Sequence, residues 1–262
     1  MSHSREEKIE ALGRVIDTLD RLRVECPWDR KQTNESLRAN TIEEVYELAD
    51  ALLAGEPANI RKELGDVLLH VIFYAKIGEE KGQFDIADVA DSLNEKLIFR
   101  HPHVFGQVVA DDARAVKENW EELKLKEKGG NKTVLAGVPL SLPAMIKADR
   151  IQEKAANVGF DWEHRSQVWD KVTEEIGEFG REIEHMDHDR MEQEMGDVLF
   201  SVINAARLYG INPENALEKT NRKFIARFNY VESKARQAGK DLRSMTLGEM
   251  DALWNEAKEL ER

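Results

Sequence analysis

The sequence has little cysteine and no long hydrophobic run. Cys26 is the only cysteine among 262 residues, which excludes an internal disulfide and is typical of a reducing compartment. The most apolar stretch, Val67 to Ala75, is too short to span a bilayer and contains His70. The N-terminal residues run into an amphipathic segment without the apolar centre of a signal peptide. We therefore expect a soluble cytoplasmic protein that has no membrane partner.

Positive charge is also scarce. The chain has 38 lysine and arginine residues against 51 aspartate and glutamate residues, and its formal net charge is -13. A long phosphate polymer would be repelled by this charge, so we do not expect long nucleic acid as a partner. A small anionic substrate is compatible with it, because metal ions held by carboxylates reverse the local charge.

The chain does contain a repeated set of five carboxylates, and the second set lies 131 positions after the first. The first set is Glu43, Glu44, Glu47, Glu63 and Asp66, and the second is Glu174, Glu175, Glu178, Glu194 and Asp197. The apolar neighbours repeat as well, because residues 63–75 and 194–206 are identical at eight of thirteen positions. We conclude that a domain of about 120 residues has been duplicated.

Apolar residues at helical spacing predict an all-α fold, and no segment has the alternation of a strand. In the first half we expect helices over residues 5–23, from an N-cap at Asn40 or Thr41 to Gly55, from an N-cap at Asn59 to about Lys81, and from about Ile86 to His101. In the second half we expect helices over residues 142–156, 166–186, 189–208, 213–238 and 246–260. The predicted architecture is a tandem repeat of two four-helix-bundle-like domains.

The domain boundary is predicted at a polar segment with paired glycines, residues 126–133, which suits a flexible linker. We place the first domain at residues 1–126, the linker at 127–138 and the second domain at 139–262. Within each domain we expect one apolar helix face to form the core. The predicted core face consists of Val67, Leu68 and Val71 in the first domain, and of Val198, Leu199 and Val202 in the second.

The spacing of the acids indicates a cation site. Residues three and four apart share one helix face, and fifteen residues separate Glu178 from Glu194, which allows a hairpin that brings two acidic pairs together. Converging carboxylates repel one another unless a cation lies between them, and oxygen ligands favour Mg²⁺, Mn²⁺ or Ca²⁺. The alternative is a solvated acidic helix face. The candidate metal ligands are Glu175, Glu178, Glu194 and Asp197, with Glu44, Glu47, Glu63 and Asp66 as the first-half copy.

Cationic and aromatic residues are duplicated together with the acids. The candidate substrate-binding residues are Asn221, Lys223, Arg227, Trp254 and Lys258, and their counterparts in the first half include Lys96, Arg100, Trp120 and Lys124. Arginine and lysine donate to phosphate oxygens, and a tryptophan ring can stack on a base. Surface salt bridges for the cations, and core or interface packing for the tryptophans, are the alternatives. The combination points to metal-assisted attack of water on a nucleotide polyphosphate.

The paired Glu-Glu-x-x-Glu and Glu-x-x-Asp signatures resemble those of the MazG nucleoside triphosphate pyrophosphohydrolases. Three further segments, 26–29, 100–105 and 157–162, are similar to stretches of the tandem bacterial members. The resemblance implies two all-α NTP pyrophosphatase domains, a homodimer and dependence on Mg²⁺, with Mn²⁺ as a substitute. It also implies hydrolysis of nucleoside triphosphates to monophosphate and diphosphate, with loose base selectivity and a role in cleansing nucleotide pools.

By matching position, the resemblance implies that Glu175, Glu178, Glu194 and Asp197 hold Mg²⁺, and that Glu174 supports the site or holds a further metal. It implies triphosphate contacts from Lys223, Arg227 and Lys258, and a position near the nucleoside for Trp254. We expect the second half to be the more active one. The competing hypotheses are a noncatalytic helical regulator that binds nucleotides, and a hydrolase of another phosphoanhydride.

Overall fold

The fold was analysed in a computed structural model that describes residues 3–106, 123 and 133–260. The regular structure of these residues is entirely helical, which confirms the predicted all-α class. The chain divides into two compact units, Met1–Asp111 and Asp112–Arg262. The predicted domain end at residue 126 and half of the predicted linker lie outside the described residues, so those bounds stay predictions.

The first unit consists of helices that follow closely along the chain. They are α1 (Arg5–Glu25), α2 (Asn34–Ala54), α3 (Pro57–Glu80), α4 (Ile86–Arg100) and the short α5 (Pro102–Phe105). The two-residue connection after α2 contains Gly55 at a φ of 70°, a left-handed conformation that glycine adopts without strain and that commonly ends a helix. Because the connection is so short, α2 and α3 form an antiparallel hairpin.

Two predicted N-caps are wrong, because both helices begin before the residues predicted to cap them. Helix α2 begins after Thr33, whose hydroxyl accepts from the Ser36 N–H while Ser36 Oγ accepts from the Thr33 N–H. Such a reciprocal cap fixes the start of a helix, so Asn40 and Thr41 lie inside it. Helix α3 begins with Pro57, whose fixed φ suits the first helical position, and Asn59 therefore lies in its first turn.

The core of the first unit lies between α1, α2 and α3. Its buried residues are Leu19, Leu37, Ile72, Phe73 and Ile77. Arg23 is buried beside them, with its guanidinium over the Phe73 ring at 5.4 Å from the centroid. Its Nε and Nη2 donate to the two carboxylate oxygens of Glu80 at 2.9 and 2.5 Å. The buried charge is thus paired, as burial requires.

The second unit contains the same kind of hairpin, followed by two further helices. Its helices are α6 (Ala144–Ala156), α7 (Val168–His185), α8 (His188–Leu208), α9 (Pro213–Gln237) and α10 (Leu247–Leu260), all within two residues of the predicted bounds. Met186, at a φ of 56°, ends α7, and the Asp187 carboxylate caps α8 by accepting from the Arg190 N–H. Helices α7 and α8 pack against each other, as do α9 and α10.

The predicted core faces are wrong in part. Val71 is 42% exposed, and Leu199 and Val202 are 53% and 44% exposed within their units. The neighbouring positions, Ile72 and Ile203, are buried instead. One position along an α-helix is a rotation of about 100°, so each helix buries a face next to the predicted one. No helix in the described part of the chain is both long and apolar enough to cross a bilayer.

Candidate metal centre

In the second unit, three of the four predicted ligands converge. Glu175 lies on α7, and Glu194 and Asp197 lie on α8, with one carboxylate oxygen of each within 4.8 Å of the others. Helical spacing places Glu194 and Asp197 on one face, and the turn at residues 186–187 brings that face against α7. Glu175 is only 6% exposed, so one carboxylate of this cluster is largely withdrawn from water.

The first unit brings together the same three positions of the repeat. Glu44 lies on α2, and Glu63 and Asp66 lie on α3, again with one oxygen of each within 4.8 Å of the others. Glu63 is buried, and its Oε2 has no hydrogen-bond partner among the described residues. A buried carboxylate oxygen without a donor is costly, and a cation in the cluster would satisfy it. The donor set of both units therefore fits a divalent cation.

The remaining predicted acids lie beside these two clusters. Glu178 is 3.0 Å from Arg181, and Glu47 is 3.9 Å from Lys62. Glu174 is hydrogen-bonded to Lys171 at 3.1 Å. Glu43 is exposed on the same helix as Glu44. The geometry thus selects three acids from each set, and metal ligation by Glu47 and Glu178 stays a prediction.

Removal from water and mutual repulsion both raise the pKa of a carboxyl group in each cluster. Partial removal from water raises the pKa of Glu44, and the charges of Asp66 and Glu47 raise it further. The pKa of Glu194 is raised in the same way, first by removal from water and then by the charge of Glu178. Glu178 is therefore close enough to act on the cluster electrostatically. Both clusters would gain stability from a cation between their carboxylates.

A lysine side chain already contacts each cluster, which sequence reasoning missed. Lys62 Nζ lies 2.9 Å from Glu63 and 3.7 Å from Asp66. Lys171 Nζ lies 2.7 Å from Glu175, and hydrogen bonds to Glu175 and Glu174 raise the pKa of this lysine. The two lysines occupy different positions of the repeat and so are invisible to a search for duplicated residues. The spacing of Lys171 four residues before Glu175 was the available signal.

The predicted substrate-binding residues lie on α9 and α10. The Arg227 guanidinium lies over the Trp254 ring at 5.6 Å from its centroid, and Phe224 contacts the same ring at 5.0 Å. Asn221, Lys223 and Lys258 are exposed. In the first unit, Lys96 and Arg100 are half-buried on α4, whereas Trp120 and Lys124 lie outside the described residues. The roles predicted for all of these residues stay predictions.

The second unit also contains a cavity of about 660 Å³ directly beside its acid cluster. Glu175, Asp197 and Lys171 line one part of it, and residues of α6, α8 and segment 159–162 line most of the rest. None of the predicted substrate-binding residues on the described parts of α9 and α10 is among its lining. Sequence reasoning noted segment 157–162 as a motif without finding the cavity, because the lining comes from several separate segments.

One wall of the cavity is held by a charged pair. Arg207 on α8 donates to both carboxylate oxygens of Asp161, at 2.6 and 3.0 Å. Two parallel hydrogen bonds of this kind fix both position and orientation. Segment 159–162 is thereby tied to α8, the helix that carries Glu194 and Asp197.

We expect Asp161→Asn to lower the free energy of unfolding by about 1–3 kcal/mol at pH 7. Burial opposes ionisation of Asp161, but hydrogen bonds from Arg207 and from the Trp162 N–H outweigh it, so the pKa of Asp161 is lowered. A carboxyl group of this kind stabilises the fold above its unfolded pKa of about 4, and the contribution is lost as pH falls through the lower folded value. Urea unfolding of both proteins between pH 7 and pH 3 measures the difference, and a difference that grows in acid would contradict the prediction.

The fold and site define an all-α protein with two tandem units, each with a carboxylate cluster suited to a divalent cation. The model of the MazG nucleotide pyrophosphohydrolase domain matches residues 32–105 and 164–232. A protein of Thermotoga maritima named nucleoside triphosphate pyrophosphohydrolase/pyrophosphatase MazG is 43% identical over 248 residues, which are 93% of this chain and 94% of the relative.

Two other relatives are similar to the chain. The nucleoside triphosphate pyrophosphohydrolase of Escherichia coli K12 is 39% identical over 257 residues, which are 95% of this chain and 98% of the relative. The uncharacterized protein YabN of Bacillus subtilis is 48% identical over 239 residues, or 90% of this chain and 49% of that protein. The chain therefore belongs to the MazG family of nucleotide pyrophosphohydrolases, as its motifs predict, and is a hydrolase by class.

Proposed function

We propose that the chain hydrolyses nucleoside triphosphates to monophosphate and diphosphate, that it depends on Mg²⁺, and that it accepts several bases. The observation that carries the proposal is the convergence of Glu175, Glu194 and Asp197 beside a cavity of about 660 Å³. Pockets of about 300–1,000 Å³ are typical of small-molecule sites. Family membership and the names of the two pyrophosphohydrolase relatives support the same reaction.

Glu175, Glu194 and Asp197 would hold the cation, with Mn²⁺ as a substitute for Mg²⁺. Mg²⁺ prefers oxygen ligands and usually combines one or two carboxylates with waters and substrate phosphates. When bound, it supplies charge neutralisation on the phosphates and lowers the pKa of coordinated water. The chemistry then needs no covalent nucleophile from the protein.

The remaining acids of the set would position the attacking water. Glu178 lies outside the three-oxygen cluster, and its charge helps to raise the pKa of Glu194; in this proposal its carboxylate would accept a proton from a water beside the cluster. Lys171 Nζ, 2.7 Å from Glu175, brings a positive charge to the same place, where phosphate oxygens would need a donor. We assign attack to the α-phosphorus, with diphosphate as the leaving group.

We also propose that the chain acts as a homodimer in the cytoplasm and cleanses nucleotide pools. Several large apolar side chains are exposed on α3 and α8, among them Val71, Leu199 and Val202. Exposed apolar faces of this kind favour a protein interface. In a dimer, cationic residues from the partner's later helices would also be available to the triphosphate.

The decisive experiment identifies the products. The purified chain is incubated with each of the common nucleoside triphosphates and Mg²⁺ in water labelled with oxygen-18. We expect monophosphate and diphosphate in equal amounts, with the label in the monophosphate because water attacks the α-phosphorus. EDTA should stop the reaction, and added Mg²⁺ or Mn²⁺ should restore it.

Three outcomes would contradict the proposal. Release of orthophosphate would indicate a hydrolase of another phosphoanhydride. Label in the diphosphate would indicate that water attacks the β-phosphorus, which gives the same products but contradicts the assigned step. Thermal stabilisation by nucleotides without turnover would instead favour the noncatalytic regulator.

A further inference from the structure

Each acid cluster has a lysine beside it, but the two lysines reach their clusters from different helices. Lys62 lies on α3, and Lys171 lies on α7. The repeat places Gln193 at the position that matches Lys62, and Asn40 at the position that matches Lys171. The duplication therefore does not account for the two lysines, and each unit has a cationic side chain of its own at its acids.

In the first unit, the lysine contacts most of the acid cluster. Lys62 Nζ lies 2.9 Å from Glu63, 3.7 Å from Asp66 and 3.9 Å from Glu47. Glu63 and Asp66 are two of the three acids whose oxygens converge. No other lysine or arginine in the described part of the chain is ion-paired with these carboxylates. One positive charge is thus shared by several acids of this site.

In the second unit, the lysine leaves most of the acid cluster uncovered. Lys171 Nζ lies 2.7 Å from Glu175 and 3.1 Å from Glu174, which is outside the cluster. Glu194 and Asp197 supply the other two converging oxygens, and neither is ion-paired with a lysine or arginine among the described residues. The lysine therefore meets one of the three cluster acids here, against two of the three in the first unit.

Lys62 is an incomplete substitute for a divalent cation. Its Nζ donates to Oε1 of Glu63 at 2.9 Å, while Oε2 of the same carboxylate is buried without a partner among the described residues. A buried carboxylate oxygen without a partner costs free energy, which a cation in the cluster would recover. The Lys62 side chain is 64% exposed, so its flexible stem can carry the ammonium group into water without loss of packing. The lysine contact can therefore be exchanged for a cation.

The ammonium group and a divalent cation compete for the same oxygens. A lysine side chain is positively charged at pH 7, and two positive charges a few ångström apart repel each other. A cation that binds Glu63 and Asp66 must either displace the ammonium group of Lys62 or bind beside it. Displacement breaks the existing ion pairs, and binding beside it adds repulsion. In both cases the affinity of the cluster for the cation is lowered.

We propose that Lys62 is a built-in competitor that sets the cation affinity of the first unit. The inference rests on the proposed function only for the presence of a divalent cation at the clusters, and not for the reaction. Because Lys62 meets two cluster acids and Lys171 meets one, the first unit binds its cation less tightly than the second. The second unit is thus loaded at lower cation concentrations, and the first unit responds only to higher ones.

The test is equilibrium binding of Mn²⁺ to the full chain without nucleotide, followed by electron paramagnetic resonance of the free ion. This measurement needs no turnover. We expect two classes of binding site with different dissociation constants. Asp66→Asn should weaken the class of lower affinity, and Asp197→Asn should weaken the class of higher affinity. These two variants assign each class to its unit.

Lys62→Met removes the competing charge and keeps an unbranched side chain. It should lower the Mn²⁺ dissociation constant of the first cluster about five- to tenfold, the scale that a few partly exposed ion pairs support, and leave the second cluster unchanged. Lys62→Arg keeps the charge and should bind Mn²⁺ as the unmodified chain does. Lys8→Met, the same charge change at an exposed position of α1, is the matched control.

Three results would overturn the inference. They are an unchanged or raised dissociation constant of the first cluster in Lys62→Met, an equal gain of affinity in Lys8→Met, and a first cluster that binds Mn²⁺ as tightly as the second. Circular dichroism checks that each variant is folded, and Lys62→Gln repeats the test if the methionine variant is not. Failure of the proposed function is recognised separately, in the products of the unmodified chain. A chain that released orthophosphate but gained Mn²⁺ affinity selectively in Lys62→Met would retain the competitor and lose only the assigned reaction.

Discussion

Glu175→Gln is expected to lower diphosphate release by about 100-fold or more, since loss of even the outer partners of a metal typically costs 10–100-fold. Glu175 is buried and supplies the only oxygen of the second cluster that comes from α7. Glutamine keeps the size of the side chain but removes the negative charge, so the cation is held less tightly. Initial rates at saturating nucleotide and a series of Mg²⁺ concentrations measure the effect.

Glu44→Gln is the matched control, because Glu44 occupies the same position in the first-unit cluster. We expect it to leave the rate of diphosphate release unchanged, since we expect the second unit, whose acids lie beside the cavity of about 660 Å³, to be the active one. Far-ultraviolet circular dichroism checks that both variants are folded. Equal losses of activity would show that both units turn over, and would reverse the preference for the second unit.

Leu19→Ala should lower the free energy of unfolding of the first unit by about 2–5 kcal/mol, the usual cost of such a truncation in a core. Leu19 is 1% exposed and belongs to the cluster with Leu37, Phe73 and Ile77. The substitution removes apolar contacts and leaves a cavity that neighbouring helices cannot fully close. Urea unfolding is the measurement, and the two units allow two transitions, of which only one should shift.

Leu12→Ala is the control on the same helix. Leu12 is 48% exposed, and truncation at a surface position usually changes the unfolding free energy by about 0.5 kcal/mol or less. A loss of similar size in both variants would show that the exposed face of α1 is covered in solution. That outcome would locate an interface on α1 rather than a core defect.

Helices and their ends were predictable to different degrees. Apolar spacing predicted α7 to α10 within two residues of their observed bounds, because helix formation depends on residues three and four apart. The start of α2 was misplaced because Thr33 with Ser36 competes with Asn40 and Thr41, and pattern alone does not rank several capable caps. The buried faces of α3 and α8 were predicted about one residue away from the observed ones, because the neighbouring helices decide which face of a helix is buried.

The site residues that belong to the repeat were predictable from the sequence. Duplication identified Glu175, Glu194 and Asp197 together with their first-unit copies, and the hairpin predicted from the spacing does bring those acids together. Lys62 and Lys171 escaped notice because they are not duplicated.

The sequence by itself determined the helical class, the duplication, the family and the identity of the acids. All of these depend on the spacing of nearby residues and on the repetition of that spacing. Only the tertiary structure decided which three acids converge, and that a cavity lies beside one cluster. Both depend on side chains that are distant along the chain and meet only after folding. The clearest case is the cavity beside Glu175 and Asp197, whose lining residues are spread along the chain from Leu135 to Arg207.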